Sequence, residues 1–170
     1  MPPGPQKPGG TTPGQPTAQP ATGPGKFRAE GVLREALTRL WEQARGAKVA
    51  KIGLLEIRIF DSSDAFKLLA AVGAIAQTRK TVKFEGAYET KEKSVLNVEF
   101  TGTPEDAKPV KEFLDPQFRA APEHNFEATY ALQFEQGLEM AGDAAEKLTE
   151  KLVRFASGAA YVTAQAEVLP

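Results

Sequence analysis

Between Asn125 and Glu135 the chain alternates without a break. Phe126, Ala128, Tyr130, Leu132 and Phe134 fall on one side, and Glu127, Thr129, Ala131, Gln133 and Glu135 on the other. A period of two is strand geometry, so this segment demands a sheet with one buried face and one face that is wet or an edge. Alternation does not choose whether helices or another subunit cover the buried face.

The remaining segments supply helices for that purpose. From Ala29 to Arg45 the residues Val32, Leu33, Ala36, Leu37, Leu40, Trp41 and Ala44 recur at three- and four-residue spacing, which predicts an amphipathic helix ended by Gly46, with Trp41 in its buried stripe. Ile52 to Phe60 reads as a strand. Asp61-Ser62-Ser63-Asp64 then offers a capping acceptor and an early carboxylate for a helix from Ser62 to about Lys80. Val82 to Tyr88 and Leu96 to Phe100 alternate on either side of Thr90-Lys91-Glu92-Lys93, a hairpin signature. Thr103 followed by Pro104, Glu105 and Asp106 starts another helix, which Pro109 and Pro116 are expected to keep short or irregular, anchored by Phe113, Leu114 and Phe118. A last helix begins at Asp143 with Glu146 in a cap-like D-x-x-E and buries Leu148, Leu152, Val153 and Phe155 before Gly158. Tyr161 to Val168 alternates again.

The order from Lys51 to Glu135 is therefore strand, helix, strand, strand, helix, strand. This predicts an α+β fold with a ferredoxin-like β-α-β-β-α-β core, extended by a helix in front and a helix and strand behind. The expected sheet is antiparallel-rich, with four or five strands and helices mainly on one face. Ile52 to Tyr88 and Phe126 to Val168 each run strand, capped helix, strand, a faint duplication.

Residues 1–25 hold eight prolines and six glycines, with no large apolar side chain after Met1. They read as a disordered Pro/Gly-rich linker, because such a segment cannot bury enough surface to offset its ordering entropy. Residues 26–170 read as a single α+β domain. Lys7 is the linker's one charge, so the domain carries 20 basic and 22 acidic side chains, net −2. That balance disfavours a phosphate backbone as partner unless the cations cluster. With no cysteine there is no disulfide framework and no thiolate chemistry. The longest uncharged apolar stretch, Leu68 to Ala76, is far too short to span a membrane, and the N-terminus lacks the apolar core of a signal peptide. These features lead us to expect a cytoplasmic protein with no membrane partner.

The usual catalytic patterns are missing. The one histidine, His124, lies in a loop before a strand and is expected to be solvated, and neither G-x-S-x-G nor H-E-x-x-H occurs. Gly25-Lys26 matches only the end of a phosphate-binding loop, with Phe27 where a hydroxyl is needed. Asp61, Ser63 and Asp64 read as a helix cap rather than cation ligands. Lys80, Lys83, Lys91 and Lys93 surround the hairpin, but Glu85, Glu89 and Glu92 interleave with them and suggest a solvated face. No catalytic, cofactor-binding or metal-binding residue is assigned, and no cofactor is expected.

Three features together carry a family resemblance. A Pro/Thr/Gln-rich linker precedes the domain; a helix leads to the apolar-acidic strand Leu54-Leu55-Glu56-Ile57-Arg58-Ile59; and a helix ends in a polar segment running into a strand, Ala76-Gln77-Thr78-Arg79-Lys80-Thr81-Val82-Lys83-Phe84. In these features the stretch from Phe27 to about Gly102 resembles the C-terminal accessory module of very large bacterial and archaeal AAA-type ATPases of unknown function, often encoded beside DNA methylases and helicases in phage-defence gene clusters. The resemblance implies a non-catalytic interaction or regulatory domain, with ATP hydrolysis residing in an upstream region. The partners implied are other protein domains or subunits, including a homo-oligomer. A stand-alone nucleic-acid-binding domain is the alternative.

Overall fold

A computed structural model describes residues 25–60, 64–90, 92–120, 126–156 and 160–170. Residues 1–24, expected to be a linker, the stretch Asp61-Ser62-Ser63, Lys91, residues 121–125 with His124, Gly158 and the side chains of Tyr88, Phe118 and Phe155 lie outside the described residues. The elements run β1 (Lys26–Val32), α1 (Leu33–Gly46), β2 (Lys51–Ile59), α2 (Leu69–Gly73), β3 (Arg79–Glu89), β4 (Val95–Gly102), α3 (Pro104–Ala120), β5 (Phe126–Glu139), α4 (Ala144–Ala156) and β6 (Tyr161–Val168). Six strands form one sheet in the order β1-β6-β2-β5-β3-β4, and every pairing is antiparallel.

Each helix-bearing connection in this order joins two strands that run the same way with one strand between them. Thus β1-α1-β2 crosses β6, β2-α2-β3 crosses β5, β4-α3-β5 crosses β3, and β5-α4-β6 crosses β2. Right-handed crossovers of this kind put all four helices on one face of the sheet. Their packing agrees, since α1 touches α4, α4 touches α2 and α2 touches α3. The α+β class and the helix-covered antiparallel sheet are as expected.

The ferredoxin-like order is not found. That arrangement would place the four strands from Lys51 to Glu135 as β5-β2-β4-β3, whereas they stand β2-β5-β3-β4, the order a ferredoxin-like chain shows when traced backwards. A strand has only two edges. Here β6 takes one edge of β2 and β5 takes the other, so the β3–β4 hairpin pairs on the far edge of β5.

Five local expectations are also corrected. Ala29 to Val32 is strand rather than helix, because these residues pair with β6 from Ala164 to Tyr161, and the helix begins only at Leu33. Of the helix expected over 62–80, the described residues form helix only at Leu69–Gly73; Gln77 takes φ 58°, and Arg79 and Lys80 join β3 opposite Gln133 and Leu132. Pro109 and Pro116 do not shorten α3, which runs 17 residues with both prolines on its exposed side. On that helix Ala107, Val110 and Leu114 make the inward stripe, while Phe113, one position off it, is 62% exposed. Glu146 closes no capping box with Asp143, because Arg45 takes its carboxylate at 2.6 and 3.0 Å.

Trp41 is core, 2% exposed, with its indole N–H donating to Thr149 Oγ1 at 2.8 Å; that hydroxyl donates to the Ala145 carbonyl at 2.9 Å. A buried indole is tolerated because its one polar atom is satisfied. The bond also fastens α1 to α4 above β6 and β2.

Candidate functional site

The described surface offers a cleft in the helical layer and an uncovered sheet face. The cleft, of about 550 Å³, lies between α3 and the segment that contains α2. Its floor is Phe66, Leu69, Ala70, Gly73 and Pro104, and Lys67, Lys108, Lys111, Glu105, Glu112 and Asp115 form the rim.

Several local choices in the sequence hold it open. Phe66 is pinned from below, edge-on to Phe84 at 5.1 Å and tilted on Phe126 at 5.0 Å. Beside it the buried Tyr130 hydroxyl donates to the Ala65 carbonyl at 2.6 Å. Burial pushes the ionisation of that phenol far above its ordinary value, so it remains a donor at any working pH. At the other wall, Thr103 Oγ1 accepts from the Asp106 N–H at 3.2 Å and starts α3, with Pro104 at the first position where its missing N–H costs nothing. The walls come close at Gly73, where an added Cβ would lie in van der Waals contact with Pro104 Cβ at 3.4 Å.

The rim is of mixed sign. Lys67 pairs with Asp64 at 2.6 Å, and Lys111 lies 3.9 Å from Asp115. Neither Pro109 nor Pro116 has an N–H for the carbonyl four residues earlier, so Glu105 and Glu112, both on the rim, lose their intrahelical donors. An apolar floor with polar backbone at its border suits an amphipathic ligand. Among the described residues no group of three His, Asp or Glu side chains converges to hold a metal ion.

The sheet face opposite the helices carries the polar residues of each strand. Arg58 of β2, Phe60 just after that strand and Tyr161 of β6 sit near one end of it, with Phe60 43% and Tyr161 56% exposed. Arg58 lies 5.0 Å over the Phe60 ring while bonding Glu127 at 2.7 Å. Three more cations on this face are likewise matched: Arg28 to Glu30 at 2.9 Å, Arg79 to Glu135 at 2.9 Å and Lys83 to Glu85 at 3.5 Å. Matched charges leave little field to draw in a phosphate backbone.

The sequence reading missed both surfaces. Phe66 and Leu69 were legible only as helix core, and Phe60 only as the end of a strand; what they border was not. Of the residues around the hairpin, Lys83 pairs with Glu85 at 3.5 Å and Lys80, opposite Leu132, has the other parity of β3, so the two form no common basic patch. No helix among the described residues is long and apolar enough to cross a membrane. Comparison with protein-family models, with curated proteins and with solved structures gives no match in any of the three.

Proposed function

We propose that this chain is a non-catalytic interaction and regulatory domain that receives an amphipathic protein segment in the α2–α3 cleft. In this reading it serves as the C-terminal accessory module of a larger ATP-dependent machine of DNA metabolism or phage defence. The observation that carries the binding role is the cleft itself: about 550 Å³ over Phe66, Leu69 and Pro104, with an exposed, mixed-charge rim. Its floor is apolar enough to hold side-chain anchors, and its rim selects by charge. The link to an ATPase rests on the sequence resemblance from Phe27 to Gly102.

Ala70 is exposed, lies in α2 and lines the cleft, so Ala70→Arg fills the site without disturbing the core. Affinity capture from native-like lysate with the full chain, followed by mass spectrometry and a nuclease-treated control, tests the reading. Protein partners held by the wild type after nuclease treatment and lost by Ala70→Arg are expected. Partners retained by a folded Ala70→Arg variant would overturn the cleft as the site.

A second reading, single-stranded nucleic acid on the sheet face, is favoured by the exposed Phe60 and Tyr161 beside Arg58. A gel shift at low salt that disappears with Phe60→Ala is its expected sign, and no shift at low salt excludes it.

A further inference from the structure

We infer that β4 is a dimerisation edge, and that its partner is β4 of a second copy of this chain, paired antiparallel about Val98 so that two six-stranded sheets become one. This inference is independent of the cleft, which lies in the helical layer.

The argument starts from the hairpin. Thr90 N–H donates to the Ser94 carbonyl at 2.7 Å, and residue pairs from Glu89↔Val95 to Val82↔Gly102 follow in register. Alternation in an antiparallel ladder then turns the N–H and C=O of Leu96, Val98 and Phe100 toward β3, and those of Val95, Asn97, Glu99 and Thr101 outward. Among the described residues no strand pairs with this outer side and no side chain bonds its backbone. Such edges are commonly blunted by lysine or proline, and β4 contains neither. It does expose Val95 at 64% and Leu96 at 45%.

What fits this edge follows from its own sequence, Val95-Leu96-Asn97-Val98-Glu99-Phe100-Thr101-Gly102. A two-fold axis normal to the sheet keeps the helix-covered faces on the same side, so odd residues must meet odd and even meet even. Centred on Val98, the pairing sets Asn97 opposite Glu99 and Val95 opposite Thr101 on the open face. On the helix side it sets Leu96 opposite Phe100 and Val98 opposite Val98. All four outward-facing residues of each strand then exchange backbone hydrogen bonds. The one charged residue in the strand meets a neutral amide, and Leu96 packs on the half-buried Phe100 of the other copy. Centring on Glu99 instead would set carboxylate against carboxylate, and centring on Asn97 would leave Phe100 opposite Ser94. Of the three registers centred on Asn97, Val98 and Glu99, the one centred on Val98 is self-complementary.

That register makes the test specific. Because the chain has no cysteine, Val98→Cys introduces a single thiol per copy. Val98 would be a non-hydrogen-bonded pair across the axis, with Cα atoms about 4.5 Å apart, within disulfide range. Mild oxidation of the full chain is expected to link Val98→Cys into a covalent dimer and to leave Val95→Cys unlinked, since Val95 faces Thr101. Sedimentation velocity from micromolar to millimolar concentration should show reversible dimerisation. Asn97→Glu, which sets two carboxylates against Glu99, should weaken it roughly tenfold, and Asn97→Lys should tighten it. Far-ultraviolet circular dichroism of each variant confirms folding. A chain monomeric throughout, a dimer indifferent to both Asn97 substitutions, or a dimer whose Val98→Cys does not cross-link would each overturn the inference, as would an unrelated extended peptide as the only occupant of β4.

Discussion

The two edges of the sheet are treated in opposite ways. At β1 the helix that follows the strand folds back over it: Gln43 donates to the Arg28 carbonyl at 3.0 Å and Arg39 to the Glu30 carbonyl at 2.6 Å. Those carbonyls point away from β6, since Val168 N–H bonds Gly25 and Leu33 N–H bonds Ala160, which puts the even-numbered residues of β1 outward. At β4 the outward groups of Val95, Asn97, Glu99 and Thr101 have no such cover among the described residues. The difference teaches that closure of an edge is a side-chain matter. A polar stripe on an adjoining helix suffices, and where the adjoining element is a hairpin partner the edge stays available.

The largest test of this contrast removes the anchor of α1. Trp41→Ala should cost about 3–5 kcal/mol, read by urea denaturation, and should speed hydrogen exchange in β1 far more than in β4. Equal acceleration at both edges would show that α1 does not guard β1. Next in size is a proline pair on β4. Val98→Pro removes a donor bonded to β3 and strands its acceptor, a loss of about 1–3 kcal/mol. Asn97→Pro removes an outward donor and should cost less, because proline is tolerated at that position of an edge strand. The reverse ranking would mean the alternation is assigned to the wrong parity.

Smaller still is the loss of the β1 guard itself. Replacing Arg39 and Gln43 together by alanine should lower stability by about 1–2 kcal/mol and add concentration-dependent association through β1, visible by sedimentation. The smallest effect is acid. The Arg45 guanidinium, which bonds Glu146 and also the Met140 carbonyl, holds the Glu146 carboxyl below its ordinary value; Arg34 does the same to Glu150. A carboxyl depressed in the folded state stabilises above its unfolded pKa and loses that contribution as pH falls through the folded one. Stability should therefore decline slightly below about pH 4.5, and Glu146→Gln should flatten that decline. Both pairs are solvent-exposed, so the change is a fraction of 1 kcal/mol for Glu146.

The legible part of this fold is the part governed by one-dimensional periodicity. Phe126 to Phe134 was readable as a one-faced strand, Leu33 to Ala44 as an amphipathic helix and Leu148 to Val153 as another, because side-chain direction repeats along each element irrespective of its neighbours. Elements whose state depends on a partner were misread. Ala29 to Val32 continues the helical spacing of α1 yet forms β1, since β6 offers a ladder. The apolar spacing of α2 continues through Ile75 and Ala76, yet the helix ends at Gly73 and the chain enters β3 at Arg79, which pairs with Gln133. The cleft was invisible because its floor and walls come from segments separated by some thirty residues.

Composition and spacing alone determined the α+β class, the faces of the strands, the position of Trp41 in the core and a near-neutral surface. Tertiary structure decided the strand order, the length of α2, the exposure of Phe113 and the fate of each edge. The physical reason is that periodicity records which way a side chain points, whereas pairing and cover depend on what else in the chain competes for the same hydrogen-bonding edge.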